Sequence, residues 1–197
     1  MENREPANRK LAEESEMVAG VIASLIRQDS ASGRLISGYE LERRIMEQCR
    51  MPSGEGVAGF QSTLAKALAR HDDLHELTGE DGARSYFSSQ HMTHPYASIL
   101  LKKQSNPLRL IAEVVRENSA SYPRPVPLDI FTHSPFDLEP EQVKDYLKQM
   151  AAEEEYRDIA STTTSASTMY LYSTLHLECD HASMLAEWFD VGQFENP

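Results

Sequence analysis

The sequence predicts an α+β protein that is mostly helical and consists of two similar units in tandem. Apolar residues recur at helical spacing in several long segments, and two shorter segments alternate with a period of two around polar turns. The order of helices and hairpin is the same in both halves of the chain. A single α/β domain is disfavoured, because its parallel sheet would need long apolar strands between helices.

Three helices are predicted in the first half. Apolar side chains over residues 11–26 form one stripe, with glutamates at the start where the helix dipole favours them. A short extended piece at 34–36 leads to Ser37 and Glu40, which match a capping box before a second helix. A third helix has apolar residues three and four apart between positions 57 and 68.

A hairpin and a linking helix complete this half. Residues 74–77 and 84–88 read as two short strands, and the glycine-containing turn at 79–82 joins them. Residues 95–104 are predicted to form a helix that leads into the second half.

The second half repeats the order with a shorter middle helix. Asn106 is predicted to cap a helix that begins at Pro107, and residues 128–131 form a single turn after an extended proline-rich entry. A third helix follows at 140–152, then strands at 156–163 and 168–173, and a closing helix at 180–189.

This order of elements resembles that of tandem winged-helix proteins over nearly the full length. The resemblance implies a first winged-helix domain at 1–92. It implies a second at 93–197, which includes the linking helix and the closing helix. The two halves share the order of elements but little residue identity, so an architectural duplication is expected.

Composition and charge argue against several classes of protein. With 19 Lys and Arg against 31 Asp and Glu, the net charge is −12, which disfavours binding to nucleic acid by bulk charge. The N-terminus lacks the apolar core of a signal peptide, and the most apolar stretch, 18–26, is too short to cross a membrane. Cys49 and Cys179 stand alone, so no disulfide framework is expected. These features predict a cytoplasmic protein without a membrane partner.

The basic residues cluster where a winged helix would contact DNA. Residues 34–70 contain six Lys and Arg against four Asp and Glu, a local balance of +2. A winged helix lays its third helix in the major groove and touches phosphates with its hairpin. The predicted contacts to double-stranded DNA are Arg43, Arg44, Arg50, Gln61, Lys66, Arg70 and Arg84. An ordinary solvated helix face would carry similar residues.

The second half favours a protein partner or a second copy of the chain. Its third helix carries Glu139, Glu141 and Asp145 and ends in a run of glutamates, so phosphates would be repelled. Tyr170 and Tyr172 on the second hairpin are the predicted interface residues, since tyrosine combines contact area with a polar tip. Packing against the closing helix is the alternative for both.

Other motifs carry no predicted chemistry. Gly54, Gly56 and Gly59 match a dinucleotide fingerprint, but a helix precedes them where a strand is needed. His71 and His75 are four residues apart, as in a metal-binding helix, yet they fall where the helix gives way to a strand. No catalytic residue, metal ligand or cofactor is therefore predicted.

Three functional hypotheses follow. The first is a non-enzymatic, DNA-associated regulator that contacts DNA through its first winged helix and protein through its acidic second one. The second is an acidic adaptor that binds proteins and no nucleic acid, in analogy with the accessory subunits of bacterial chromosome condensation. The third, a metal-dependent enzyme, rests on the histidine pairs, including His91 with His94 and His176 with Cys179 and His181.

Overall fold

A computed structural model describes residues 5–49 and 56–192, with side chains described at 15–48 and 59–192. The chain divides into two compact units, Met1–Leu101 and Lys102–Pro197. Each unit combines helices with one three-stranded antiparallel sheet. The α+β, mainly helical class expected from the sequence is confirmed.

Unit 1 contains the predicted elements with small shifts at their ends. They are α1 (Glu5–Ala31), β1 (Ile36–Ser37), α2 (Gly38–Cys49), α3 (Gly56–Arg70), β2 (Leu74–Thr78), β3 (Arg84–Ser88) and the start of α4 (His94–Ser105). One of the two hydrogen bonds of the predicted capping box forms at α2, since the Glu40 N–H donates to Ser37 Oγ at 3.2 Å. The Glu40 carboxylate accepts from arginines instead of from the Ser37 backbone.

The core of unit 1 lies between the helices and the sheet. The sheet order is β1-β3-β2, with Ile36 opposite Tyr86 and Leu74 opposite Ser88. Buried side chains from all three helices and the sheet form one cluster, which includes Ile22, Ile26, Leu41, Ile45, Phe60, Leu64 and Tyr86. The turn between β2 and β3 contains Gly82 with φ of +77°, a conformation that favours glycine.

The division between the units falls inside α4, later than the predicted boundary between residues 92 and 93. The reason is packing. Ala97 and Leu100 on α4 join Phe87 and Met92 in a second apolar cluster of unit 1. The first turns of the linking helix therefore belong to the core that precedes them.

Unit 2 repeats the layout with one shortened element. Its elements are α5 (Pro107–Ser121), β4 (Val126–Pro127), a 3₁₀ helix (Leu128–Thr132), α6 (Pro140–Ala152), a second 3₁₀ helix (Glu154–Tyr156), β5 (Ile159–Thr163), β6 (Met169–Ser173) and α7 (Cys179–Glu187), followed by a π-helical turn (Trp188–Gly192). Asn106 caps α5 as predicted, accepting from the Arg109 N–H at 3.0 Å.

The two sheets match in order and register. The order in unit 2 is β4-β6-β5, and Val126 lies opposite Leu171 as Ile36 lies opposite Tyr86. The main difference is the middle helix, which has 12 residues in α2 but five in the 3₁₀ helix that replaces it. Within the described ranges, no helix combines the length and apolar character needed to cross a bilayer.

Candidate functional site

The two arginines predicted on α2 lie in an ion-pair network within the chain. Arg43 donates to Glu40 at 2.7 and 2.9 Å and to Glu47 at 2.8 Å. Arg44 donates to Glu40 at 2.7 Å and to the buried Asp29 at 2.8 Å. Hydrogen bonds from Arg43 and then Arg44 lower the pKa of Glu40 to about 2, so the carboxylate stays charged near neutral pH. Both guanidinium groups are thus occupied by carboxylates.

The predicted DNA contacts on α3 are exposed, and two of them touch α1. Lys66 Nζ donates to Ser15 Oγ at 3.2 Å, and Arg70 forms an ion pair with Glu16. Gln61 lies exposed on the same helix. Arg84, at the start of β3, stands 3.7 Å from Glu76 on the neighbouring strand. Arg50 lies outside the described residues.

These basic side chains fall into three groups with different partners. Arg43 and Arg44 share Glu40, the basic residues of α3 contact α1, and Arg84 faces Glu76. In the described part of the chain, no partner is common to two groups. A phosphate backbone would have to compete with these internal contacts at each position.

The structure corrects the prediction that Tyr170 and Tyr172 face a partner. Tyr170 is 6% exposed and Tyr172 is 3% exposed. β6 is the central strand of its sheet, and Tyr172 packs with Leu177 and Ala182 at the start of α7. Hydrogen bonding with Cys179 and burial raise the pKa of Tyr172 to about 12. The strand alternation identified the two tyrosines as sharing one face, and on that face Ala182 of α7 packs against Tyr172, as the alternative interpretation expected.

A polar network joins the end of α1 to the hairpin of unit 1. Arg27 donates to Asp73 at 2.9 and 2.7 Å, and Ser88 Oγ donates to the same carboxylate at 2.7 Å. The Ser88 N–H donates to Ser30 Oγ at 2.9 Å. Hydrogen bonding from Arg27 holds the pKa of Asp73 well below its usual range.

The same network recurs in unit 2 with the same residue types. Arg116 donates to Asp158 at 2.9 and 2.6 Å, Ser173 Oγ donates to Asp158 at 2.6 Å, and the Ser173 N–H donates to Ser119 Oγ at 3.0 Å. The aspartate and the hairpin serine are 15 residues apart in both units. Within the duplicated architecture, these four positions therefore carry the same residue types in both units.

The repeated network is best understood as a structural clamp. Each aspartate is bound by an arginine of the first helix and a serine of the last strand, so it fastens the helix to the sheet. Among the described residues, no buried side-chain nitrogen or oxygen lacks a hydrogen-bond partner. Such a satisfied network of buried polar groups stabilises the packing of the helix on the sheet.

Unit 2 also exposes large apolar side chains at its C-terminal end. Met184 on α7 is 60% exposed and Trp188, one turn later, is 50% exposed. Residues four apart on a helix lie side by side, so the two form a small apolar patch. Cys179 at the start of α7 is a free, exposed thiol.

The histidine pairs do not come together as a metal site. His71 Nδ1 lies 3.3 Å from the Arg27 guanidinium, and His75 stacks near Phe87 on the hairpin. Over residues 15–48 and 59–192, no three His, Cys, Asp or Glu side chains are placed to hold one metal ion.

Comparison with known proteins finds relatives without a described activity. Residues 103–194 match the family model of the YdhW C-terminal domain, a range that coincides closely with unit 2. No solved structure matches significantly. The chain is similar to the uncharacterized protein YdhW of Escherichia coli (strain K12), at 28% identity over 182 residues that cover 91% of this chain and 81% of that protein.

Proposed function

We propose that each unit is a winged-helix domain and that the protein acts as a non-enzymatic, acidic adaptor that binds other proteins. The element order supports the fold. In each unit a helix, a short strand, a middle helical segment, a third helix and a hairpin follow one another, and the last strand lies at the centre of the sheet. This is a helix-turn-helix with an appended β-hairpin.

The observation that carries the adaptor proposal is the internal pairing of the basic residues. Arg43, Arg44 and Arg70 each bind a carboxylate of this chain, in a protein of net charge −12. Phosphate contacts give most of the affinity of non-specific DNA binding. A surface whose arginines already have carboxylate partners gains little from phosphate.

The apolar patch of Met184 and Trp188 supports protein contact. Protein interfaces are enriched in aromatic residues and methionine at their centre. Tryptophan, the residue type of Trp188, is enriched among the interface positions that contribute most to affinity. We therefore place the partner contact of unit 2 at the exposed side of α7 and the π-helical turn.

Affinity capture from the cells that produce the protein tests this proposal. Tagged wild-type protein is compared with the double variant Met184→Lys, Trp188→Lys after nuclease treatment, and bound proteins are quantified by mass spectrometry. Met46→Lys is the matched control, because Met46 is a 44% exposed apolar side chain of unit 1. Circular dichroism checks that each variant is folded.

The adaptor proposal predicts a protein that copurifies in a fixed ratio with wild type and Met46→Lys and is lost from the double variant. The proposal fails if wild-type protein retains no protein in a fixed ratio after nuclease treatment. It also fails if the double variant captures the same proteins as wild type.

A DNA-associated regulator is the second candidate, and the composition of α3 favours it. This helix, Gly56–Arg70, contains no acidic residue, and Gln61 and Lys66 are exposed on it. Gln can pair with adenine and Lys with guanine in the major groove. A titration with random-sequence duplex DNA separates this candidate from the adaptor, because only the regulator should bind it with a strong dependence on salt.

A further inference from the structure

A pocket of about 280 Å³ opens in unit 2 beside the proline-rich entry to β4. Val126, Pro127 and Ile130 form an apolar part of its wall, while Asn118 and Arg124 place an amide and a guanidinium there. Ligand pockets usually measure about 300–1,000 Å³, so this one suits a compact ligand.

In unit 1 the arginine equivalent to Arg124 is Arg34, and a carboxylate of the same chain, that of Asp29, pairs with it. Asp29 precedes the clamp residue Ser30, and Arg34 stands two residues before Ile36 of β1. The Asp29 carboxylate, 5% exposed, accepts from Arg34 and from Arg44 of α2, both at 2.8 Å. The arginine at this position is thus held by a buried carboxylate.

Unit 2 keeps the arginine but replaces the carboxylate. Asn118 precedes the clamp residue Ser119, and Arg124 stands two residues before Val126 of β4. Asn118 Oδ1 accepts from Arg124 only at 3.3 and 3.4 Å, which is long for a charged donor. In the described part of the chain, Arg124 has no carboxylate at ion-pair distance.

The shortened middle helix completes the difference. In unit 1, α2 supplies Arg44 and covers the region beyond β1. In unit 2 the five-residue 3₁₀ helix stands there and leaves Ile130 38% exposed at the pocket. The loss of the carboxylate and the opening of the pocket therefore occur at the same place.

We propose that this pocket binds a small organic carboxylate whose apolar body lies against Val126, Pro127 and Ile130. Its carboxylate pairs with Arg124 and gives this arginine the negative charge that Asp29 gives Arg34 in unit 1. The site goes beyond the proposed adaptor function and does not depend on it, because it rests on the pocket of unit 2 and on the comparison of its residues with those of unit 1.

The surrounding groups set the orientation of the ligand. The Arg124 guanidinium, which lines the pocket, lies 5.1 Å from the centre of the Tyr122 ring, within the range of a cation–π contact. Burial, and then the negative charges of Asp190 and Asp129, raise the pKa of Tyr170 on another side of the pocket. A ligand carboxylate is repelled from those aspartates and attracted to Arg124.

A titration of the full-length protein with phenylacetate and hexanoate, followed by ¹H–¹⁵N NMR shifts, tests the site. Phenylacetamide, which has no charge, is the matched ligand control. The variants are Arg124→Gln and Asn118→Asp. Asn118→Asp restores the carboxylate that Asp29 supplies in unit 1, so this variant should fold, and its new carboxylate should pair with Arg124 within the chain. Arg157→Gln is the control variant, because Arg157 is an exposed partner of Glu154 elsewhere on unit 2.

The proposal predicts NMR shift changes that are centred on Ile130 and that saturate with at least one of the two acids. Saturation should be reached at a ligand concentration below about 20 mM, which is well above the Kd of a complex with millimolar affinity. Phenylacetamide and both pocket variants should bind about tenfold more weakly or worse, and Arg157→Gln should bind like wild type. Absence of saturable binding by either acid overturns the proposal. Equal binding of the amide, or unchanged binding by Asn118→Asp, overturns it as well.

Discussion

Replacement of Asp158 by Asn is expected to destabilise unit 2 by about 2–3 kcal/mol. Asp158 accepts two hydrogen bonds from Arg116, at 2.9 and 2.6 Å, and one from Ser173 Oγ at 2.6 Å. Asn keeps the shape but removes the charge and one acceptor oxygen. Loss of one partner of a buried ion pair costs about 3–5 kcal/mol. Arg116 retains 29% exposure, so solvation offsets part of that loss.

Urea unfolding followed by the fluorescence of Trp188 measures this effect in unit 2, because Trp188 is the one tryptophan of the sequence. Glu154→Gln is the matched control. Its partner is Arg157, and the two side chains are 83% and 72% exposed, so the free energy of unfolding should change by less than about 0.5 kcal/mol. If Asp158→Asn costs no more than this control, the clamp does not stabilise the unit.

Three further predictions concern pH, capping and tyrosine ionisation. Hydrogen bonding from an arginine lowers the folded-state pKa of Asp73 and of Asp158 below the ordinary aspartate pKa of 3.8. The stabilisation that these carboxylates give is therefore complete above about pH 5, and it is lost as the pH falls through 3.8 towards the folded-state pKa. Wild type should therefore lose more unfolding free energy than Asp158→Asn between about pH 5 and pH 2, and equal losses in urea titrations would contradict this. Asn106→Ala should cost about 1 kcal/mol in urea unfolding, since it removes the cap of α5, and an unchanged stability would refute the cap. Burial and the charge of Glu76 raise the pKa of Tyr86 to about 12, so Tyr86→Phe should reduce the phenolate absorbance change near that pH, and an unaltered titration would contradict the assignment.

Local signals in the sequence were sufficient to predict most elements. Phe60 and Leu64 follow helical spacing, and the structure buries both on α3. Asn106 and Pro107 identified the start of α5, because capping depends on neighbouring residues alone. The length of α1 was underestimated, since its first turns, from Glu5, lack an apolar stripe.

The clamp was missed because its members are far apart in sequence. Arg27 and Asp73 are 46 residues apart, and hydrophobic periodicity gives no information about polar pairs at that distance. The signal that existed was a repeated Arg-x-x-Ser at the end of the first helix of each unit, Arg27 with Ser30 and Arg116 with Ser119. Aligning the two halves on their hairpins would have found it.

The internal partners of the candidate DNA-contact residues were not predicted, because a local charge sum does not describe how side chains pair. Arg43 is three residues after Glu40 and four before Glu47, so helical spacing alone predicts those contacts. The pair of Arg70 with Glu16 joins two helices and could not be read from spacing. Tyr172 was misplaced for a similar reason, since only the tertiary structure puts α7 over its face of the sheet.

A fluorescence anisotropy titration of labelled random-sequence duplex DNA tests most directly the claim that internal carboxylates occupy Arg43, Arg44 and Arg70. At about 50 mM salt the wild-type protein should cause no anisotropy change up to about 10 µM. The double variant Glu16→Gln, Glu40→Gln removes the carboxylate partner of Arg70 and the carboxylate that Arg43 and Arg44 share, and it should gain measurable binding. Micromolar binding by wild type that weakens more than about tenfold when salt rises to about 200 mM would contradict the account and favour a DNA-associated regulator.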